Sequence, residues 1–329
     1  MGGTAHAHRP QQALVTMSSI VCFGEMLLRY SPVGDGGLNG AAAFAVHVAG
    51  AEANVAIALA SLGQPARMAT ILPDNPLGER ALDTLAAHGV ETTQCVRGAG
   101  RMGAFFIESP KGGREGGFFY DRARSAFCHA DAAAIDWPRA LARASWLHIS
   151  GITAALGEEA VAQLRRAVAA ADALGVAISF DCNYRPLLWC GREAQAPALL
   201  REFAASARLI FASEADAALL LGEGGDMFAA FDRAEIIATT SRGLDGDRPT
   251  LGASVRTRRG GHCVEAAPIE PYVDRIGAGD AFAAGILFGL ASRWDLPRVA
   301  GFAHRLCVMK HAIPGDFSTL SATEVMAGT

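Results

Sequence analysis

The stretch VDRIGAGDAFAAG, residues 273–285, places an aspartate after a Gly-Ala-Gly turn and at the head of an apolar run that predicts a helix over 280–292. Gly277 and Gly279 permit a tight turn that exposes consecutive backbone N–H groups, where the helix dipole favours an anion. Asp280 could accept a proton from a hydroxyl beside that anion, or it could simply cap the helix. The local pattern leaves these two roles level, so the rest of the chain must separate them.

The composition excludes several classes of function. With 329 residues, 51% of them hydrophobic, and a net charge of −4, the chain fits one large or two smaller α/β domains and gives no sign of a nucleic-acid partner. No stretch approaches the ~18–20 apolar residues that cross a bilayer. We expect residues 1–18 to be a disordered leader rather than a signal peptide. Seven scattered cysteines and no metal-ligand spacing of histidines favour free thiols in a reducing cytoplasm and no structural metal.

Short apolar runs alternate with amphipathic segments along the chain. This alternation predicts an α/β fold in which a mainly parallel sheet carries helices on both faces. The predicted strands include 19–30, 66–72, 145–153, 175–183 and 208–213, and the predicted helices include 52–63 and 76–89. Segments 31–48 and 100–128 instead show a strand, a glycine-rich turn and a strand, with no helix between. We expect them to form a small β lid over the carboxyl ends of the strands, within one domain of residues 19–329.

The familiar nucleotide-binding and hydrolase motifs are missing or misplaced. The only lysines, Lys111 and Lys310, cannot complete G-x-x-x-x-G-K-[ST], which excludes a P-loop. A G-x-G-x-x-G occurs at 98–103, but it precedes a predicted strand rather than a helix, so we interpret it as a chance match and disfavour a dehydrogenase. No G-x-S-x-G elbow of an α/β-hydrolase is present.

VDRIGAGDAFAAG resembles the carboxyl-terminal signature of the ribokinase-like (phosphofructokinase-B) family of carbohydrate kinases. VAGAEANVAIALASLG, residues 48–63, resembles the amino-terminal signature of the same family, and the two stand far apart in the expected order. The resemblance implies a ribokinase-like fold with a β lid, and phosphorylation of a hydroxymethyl group by ATP with Mg²⁺. By this resemblance Asp280 is the general base, and Gly277, Ala278 and Gly279 form the anion hole for the transferring phosphoryl group.

Within the family the chain is most similar to 2-keto-3-deoxygluconate kinases, in segments such as GEMLLRYSP, FFYDRARSAF and SFDCNYRPLLW. The similarity makes Tyr120, Arg122 and Arg185 binding residues for a sugar acid. Arginine offers a planar fork that suits a substrate carboxylate, although an arginine on a polar loop is often only solvated. Gly50 and Asn54 of the amino-terminal signature would bind substrate hydroxyls, while Asn54 taken alone could equally make a buried polar contact.

The resemblance also assigns residues to the nucleotide. The implied ATP-binding residues are Asn183, Ser213, Ser241 and Gly243. Glu214 and Asp216 match the acidic segment near Mg²⁺ and receive an indirect, water-mediated role, but without the resemblance they are ordinary first-turn acids after a Ser213 cap.

Four features depart from the family pattern. Ala49 stands where the amino-terminal signature usually has its first glycine, Ser213 where asparagine is common, and Arg275 where the wider family has threonine. The nucleotide loop is normally a short strand and a glycine turn, whereas residues 236–257 indicate an insertion before the next strand. The ATP contacts of this segment are therefore open.

The sequence predicts a kinase that takes ATP and a small sugar acid, binds neither nucleic acid nor membrane, and forms a homo-oligomer through the exposed edge of its lid. Two alternatives stay open. One is another kinase of the same family, acting on fructose, ribose, tagatose or a nucleoside. The other is a catalytically silent sugar- or nucleotide-binding regulator on the same fold.

Overall fold

The computed structural model of the chain describes residues 18–34, 37–108 and 116–328. The predicted leader, apart from Ser18, therefore lies outside the described residues, as does part of each predicted lid segment. Across the described ranges, no helix is long and apolar enough to span a membrane.

The described residues form strands and helices that alternate along most of the chain. The strands are β1 (Ser19–Phe23), β2 (Leu27–Pro32), β3 (Phe44–Ala49), β4 (Ala66–Pro73), β5 (Glu91–Gly98), β6 (Gly103–Glu108), β7 (Gly117–Asp121), β8 (Ala144–Ser150), β9 (Ala177–Asp181), β10 (Leu209–Phe211), β11 (Ile236–Asp245), β12 (Arg248–Thr257) and β13 (Gly260–Pro268). The helices are α1 (Gly37–Gly40), α2 (Ala51–Ser61), α3 (Pro76–Ala87), α4 (Ala126–His129), α5 (Trp137–Ala140), α6 (Gly151–Ala154), α7 (Glu158–Leu174), α8 (Ala196–Ser206), α9 (Glu214–Leu221), α10 (Met227–Ala230), α11 (Ala278–Ala291), α12 (Leu296–Lys310) and α13 (Ala322–Ala327).

The strands of the described residues make two sheets. The large sheet has nine strands in the order β13-β12-β11-β10-β9-β8-β1-β4-β5. Its strands from β11 to β5 run parallel, and β12 and β13 extend it as antiparallel strands. The lid sheet has four strands in the order β3-β2-β6-β7, of which only β2 and β6 pair in parallel. The predicted fold class, a mainly parallel sheet with a smaller β lid, is confirmed.

Helices cover both faces of the large sheet, as the alternating side chains of β1 show. Ile20 and Cys22 point into the core on one face, together with helices α2, α11 and α12. Val21 and Phe23 point into the core on the other face, with α7 and α8. Successive side chains of a strand face opposite ways, so a continuous apolar run such as SIVCF fits a strand that is buried on both sides.

The structure corrects some predicted boundaries. Residues 19–30 are not one strand. The first strand ends before Gly24, and the chain then passes from the large sheet into the lid sheet. A Cβ at Gly24 would overlap the carboxyl group of the buried Glu52, so a larger residue there would force that side chain to move. The segment 31–48 does contain a helix, the single turn α1. The end of 145–153 turns into α6, where the Ser150 hydroxyl accepts a hydrogen bond from the Ile152 N–H at 3.2 Å.

The predicted nucleotide loop 236–257 holds no irregular insertion. Its residues form the long antiparallel hairpin β11–β12, in register from Ile236 opposite Thr257 to Asp245 opposite Arg248. Gly246 turns the hairpin with a φ of 60°. The extra length therefore lengthens two paired strands of the large sheet.

Candidate active site

A cavity of about 1040 Å³ lies between the lid sheet and the carboxyl ends of the large-sheet strands. The lid sheet contributes apolar and aromatic side chains, among them Phe105 and Phe118. The predicted site residues that line the cavity are Gly50, Asn54, Tyr120, Arg122, Asn183, Arg185, Ser213, Asp216, Gly277, Gly279 and Asp280. Four predicted site residues, Ala278, Glu214, Ser241 and Gly243, do not line it. Segments far apart in the sequence are thus brought together at one place.

The predicted anion hole sits at the start of α11. Gly277 precedes the helix in the left-handed conformation, with a φ of 78°, and a Cβ there would overlap the carbonyl oxygen of Asp316. Within the described chain, the N–H groups of Gly277 and Gly279 have no backbone acceptor. Both glycines line the cavity, so their free N–H groups stand at a helix N-terminus where an anion is favoured. Ala278 is fully buried and belongs to the core behind the turn.

Asp280 lies in the first turn of α11, which begins without a side-chain cap. Its hydrogen-bond partner is Asn54 of α2, whose Nδ2 donates to the Asp280 Oδ2 at 2.6 Å. Burial raises the pKa of Asp280 to about 6, while the hydrogen bond from Asn54 and the positive charge of Arg185 oppose the rise. A carboxyl group with that pKa is ionised at neutral pH and can still take up a proton, as general-base catalysis requires.

The two residues predicted to bind substrate hydroxyls, Gly50 and Asn54, both line the cavity. Asn54 is 4% exposed, and among the described residues its Oδ1 has no hydrogen-bond partner although it is buried. A buried amide oxygen without a partner costs free energy, which a donor on a bound molecule would recover. Gly50 ends the turn before α2, and a Cβ there would lie 2.7 Å from the Glu25 carbonyl oxygen. This close approach of backbone explains the glycine.

Arg122 is held by an acid that the sequence did not point to. Its Nε donates to the Glu25 Oε2 at 2.6 Å, and both side chains are almost fully buried. In the part of the chain that the structure describes, no hydrogen bond uses the two Nη groups of Arg122, which lines the cavity. Glu25 therefore fixes one edge of the guanidinium, and the other donors remain for a ligand.

Arg185 lines the same cavity. It is exposed, and its positive charge acts on Asp181 and Asp280 at the ends of β9 and the anion-hole turn. Burial raises the pKa of Asp181 to about 7, and the negative charges of Asp280 and Asp216 add to the rise. Asn183, with a φ of 42°, donates its N–H to the Asp181 Oδ1 at 3.1 Å. Asp280 and Asp216 thus both act on Asp181, and Arg185 acts on two of these three carboxylates.

The segment after β10 behaves as a helix cap in this structure. The Ser213 hydroxyl accepts from the Asp216 N–H at 3.1 Å, and the Asp216 Oδ2 accepts from the Ser213 N–H at 2.9 Å, which forms a capping box at α9. Glu214 is exposed and does not line the cavity. On the neighbouring strand β11, Thr239, Thr240 and Arg242 line the cavity in place of the predicted Ser241 and Gly243.

A buried charge cluster lies under the anion hole, and sequence reasoning missed it. Arg29 of β2 donates to Asp274 at 2.9 Å and to Asp316 at 3.0 Å, and Lys310 is buried beside them. Nothing local marks these residues as partners, although Lys310 stands out as one of two lysines in the chain. Arg275, which stands where the wider family has threonine, has no role assigned by the sequence. Its guanidinium lies 5.6 Å from the centre of the Phe118 ring of the lid sheet, and it lines the cavity.

The described residues contain no cluster of three or more His, Cys, Asp or Glu side chains that could hold a metal ion by themselves. Mg²⁺ does not need such a cage, because it usually binds through one or two carboxylates together with substrate phosphates and water. Asp181 and Asp216 both line the cavity, and their mutual repulsion is of the kind that a divalent cation relieves.

Comparison with known proteins identifies the family. The pfkB family carbohydrate kinase pattern matches residues 17–310, which is most of the chain. The chain belongs to the pfkB family of carbohydrate kinases. Its structure is similar to the crystal structure of a 2-dehydro-3-deoxygluconokinase from Thermotoga maritima, with a TM-score of 0.87, 34% identity, and coverage of 94% of this chain and 97% of that one. The ribokinase-like fold that the two signatures implied is thereby confirmed.

Curated relatives of this pfkB kinase agree on the class of activity. A 2-dehydro-3-deoxygalactonokinase of Haloferax volcanii is 30% identical over 94% of this chain and 95% of that protein. A 2-dehydro-3-deoxygluconokinase of Bacillus subtilis is 26% identical over 93% of this chain and 94% of that protein. This protein is a carbohydrate kinase that resembles 2-dehydro-3-deoxygluconokinases.

Proposed function

We propose that this pfkB kinase transfers the γ-phosphoryl group of ATP to the C6 hydroxyl of 2-keto-3-deoxygluconate, which is 2-dehydro-3-deoxygluconate under its other name. The observation that carries the proposal is the environment of the Arg122 guanidinium group. It is buried against Glu25, lines the same cavity as Asp280, and keeps its Nη groups for a ligand. A neutral sugar gives no reason to keep such a fork in the cavity, whereas a carboxylate matches it.

In the proposed reaction the carboxylate of the substrate binds Arg122, with Tyr120 beside it. The Oδ1 of Asn54 accepts a hydrogen bond from a substrate hydroxyl, and its Nδ2 keeps Asp280 oriented. Asp280 takes the proton of the attacking hydroxyl, and the N–H groups of Gly277 and Gly279 stabilise the charge on the transferring group. Arg185 stands beside Asp280 and contributes positive charge near the transferred phosphoryl group.

The nucleotide is proposed to lie over the carboxyl ends of β10 and β11. Asn183, Ser213 and Arg242 line the cavity, while Ser241 and Gly243 lie in β11 outside the lining and remain proposed contacts. Mg²⁺ would supply charge neutralisation on the phosphates, and Asp181 and Asp216 are the carboxylates that would face its water shell, with Glu214 further away.

A substrate panel tests the proposal. ADP release is measured with 2-keto-3-deoxygluconate, its galactonate-derived epimer, fructose, ribose, tagatose and a nucleoside, each at saturating ATP and Mg²⁺. We expect kcat/KM to be highest for the keto-deoxy acids. A neutral sugar that outperforms them would refute the role of Arg122, and retained ligand binding without turnover of any acceptor would favour a silent regulator.

The galactonate-derived epimer is the second candidate substrate. It is supported by the Haloferax volcanii relative, whose name specifies that epimer. The two acids differ at one hydroxyl, so the panel must contain both. We also propose that the kinase works in the cytoplasm as a homo-oligomer that pairs through the lid sheet. Its edge strands are β3 and β7, and light scattering of the purified protein tests the pairing.

A further inference from the structure

Lys310 is the last residue of α12, and its side chain is completely buried. Its ammonium group reaches past the end of the helix into the turn that follows. There the Nζ donates to the carbonyl oxygen of Ile313 at 3.0 Å and to that of Gly315 at 2.8 Å. A buried lysine is rare, because removing an ammonium group from water is expensive unless hydrogen bonds and opposite charges replace the water.

The opposite charges come from the cluster beneath the anion hole. Burial lowers the pKa of Lys310, and the negative charges of Asp274 and Asp316 oppose that fall. Arg29, from the lid strand β2, forms ion pairs with the same two aspartates at 2.9 and 3.0 Å. The cluster thus balances two cations against two carboxylates with little solvent access.

The turn that Lys310 holds, residues 313–316, packs against the backbone of the anion hole. The Gly315 N–H donates to the Asp274 Oδ2 at 3.1 Å, and the Asp274 Oδ1 accepts from the Ile276 N–H at 3.0 Å. The carbonyl oxygen of Asp316 occupies the space that a Cβ on Gly277 would need. The backbone that presents the anion-binding N–H groups therefore rests on a turn whose carbonyl groups point at one ammonium.

We propose that Lys310 is a positioning residue for phosphoryl transfer: its ammonium group acts as a built-in cation that keeps the turn 313–316 under Gly277, and so keeps the anion hole in its productive shape. The inference rests on the proposed transfer of a phosphoryl group at 277–279. It does not depend on which sugar is the acceptor, so the acceptor with the highest turnover serves for the test.

The Lys310→Met variant tests the inference, because methionine preserves most of the volume and removes the charge and the donors. Misplacement of catalytic groups by about 1 Å costs up to roughly 100-fold in rate, so we expect kcat to fall about 10- to 100-fold. The KM values for ATP and sugar should change less than about threefold, because the anion hole binds the transition state more strongly than the ground state.

Gln163→Met is the matched control. Gln163 is also buried, and its Nε2 donates to the carbonyl oxygens of Phe127 at 2.9 Å and Ala130 at 3.3 Å, in a part of the structure that does not line the cavity. This variant loses the same kind of contact and is expected to lower the melting temperature while leaving kcat unchanged. A kcat of Lys310→Met within threefold of wild type, or an equal loss in Gln163→Met, would overturn the inference.

A rescue experiment separates positioning from general support of the fold. Lys310→Ala leaves a space that faces the two carbonyl oxygens, so ammonium chloride should raise its kcat at least threefold, while tetramethylammonium chloride, which has no N–H, should not. No response to ammonium would overturn the role of the cation. If Lys310→Met does not fold, Lys310→Gln replaces it, since it removes the charge and keeps an N–H donor. Loss of kcat in that variant supports the inference, and wild-type kcat overturns it. Absence of phosphorylation by the wild-type protein would instead contradict the proposed function.

Discussion

Asn54 should set the pH at which this kinase loses activity in acid. Burial raises the pKa of Asp280 to about 6, and the 2.6 Å hydrogen bond from Asn54 stabilises its ionised form. At pH 5 roughly a tenth of the carboxylates with that pKa are ionised, and at pH 8 nearly all are. If Asp280 is the base, the wild-type kcat/KM should therefore fall roughly tenfold between pH 8 and pH 5.

Asn54→Leu removes the donor and keeps a similar side-chain volume. Loss of a hydrogen bond worth about 1–1.5 kcal/mol to the ionised form corresponds to about one pH unit. The pKa of Asp280 should rise towards neutral pH, because loss of the donor destabilises the ionised form relative to the protonated form. At pH 6 the wild type should retain about half of its plateau activity and the variant roughly a tenth.

The assay is kcat/KM between pH 5 and pH 9, measured on both proteins with the same substrates. The difference between the two profiles cancels the titration of ATP and of the sugar acid. Asp181, with a pKa of about 7, titrates close to Asp280, so Asp181→Asn is the control and should keep an acid limb. Asp280→Asn should lose about 10²–10⁴-fold in kcat and show no such limb.

Two results would refute this reasoning. One is an acid limb of Asn54→Leu that superimposes on that of the wild type, which would mean that Asn54 does not tune the base. The other is a folded Asp280→Asn protein with near wild-type turnover, which would remove Asp280 from the chemistry altogether.

Three further outcomes follow from the same structure. Arg122→Met should raise the KM for the sugar acid about 10- to 100-fold, because a charge-assisted contact worth roughly 1.5–3 kcal/mol is lost. The KM for ATP should stay at its wild-type value, and so should the activity of the surface control Arg165→Met. An unchanged KM for the sugar acid would contradict carboxylate binding by Arg122. Gly277→Ala should lower both kcat and the melting temperature, since its Cβ would overlap the Asp316 carbonyl oxygen at a φ of 78°, and an active, stable variant would show that the turn is not constrained as described. Burial raises the pKa of Glu52 to about 8, so the folded protein holds a proton that the unfolded chain releases. The free energy of unfolding, measured with urea, should therefore fall by roughly a few kcal/mol as the pH rises from about 5 to 8. Glu52→Gln should flatten that dependence, and an identical slope in both proteins would argue against a neutral Glu52.

The sequence by itself determined the elements whose causes are local. Alternation of apolar runs with amphipathic segments predicted the sheet and its helices, because side-chain periodicity records which faces are buried. The glycines at 277 and 279 predicted an anion-binding turn, because a left-handed residue at a helix start needs no distant partner to be recognised. The two family signatures then placed Asn54 and Asp280 in one site, and the structure joins them by a hydrogen bond.

Tertiary structure alone decided which charges meet. The partner of Arg122 is Glu25, 97 residues away, and Arg29 reaches Asp316 over 287 residues. The Glu52 carboxyl group likewise packs against Gly24, at the point where the chain passes from the large sheet into the lid sheet. Local patterns carry no record of such pairings, because the free energy of a buried charge depends on the groups that the fold brings around it.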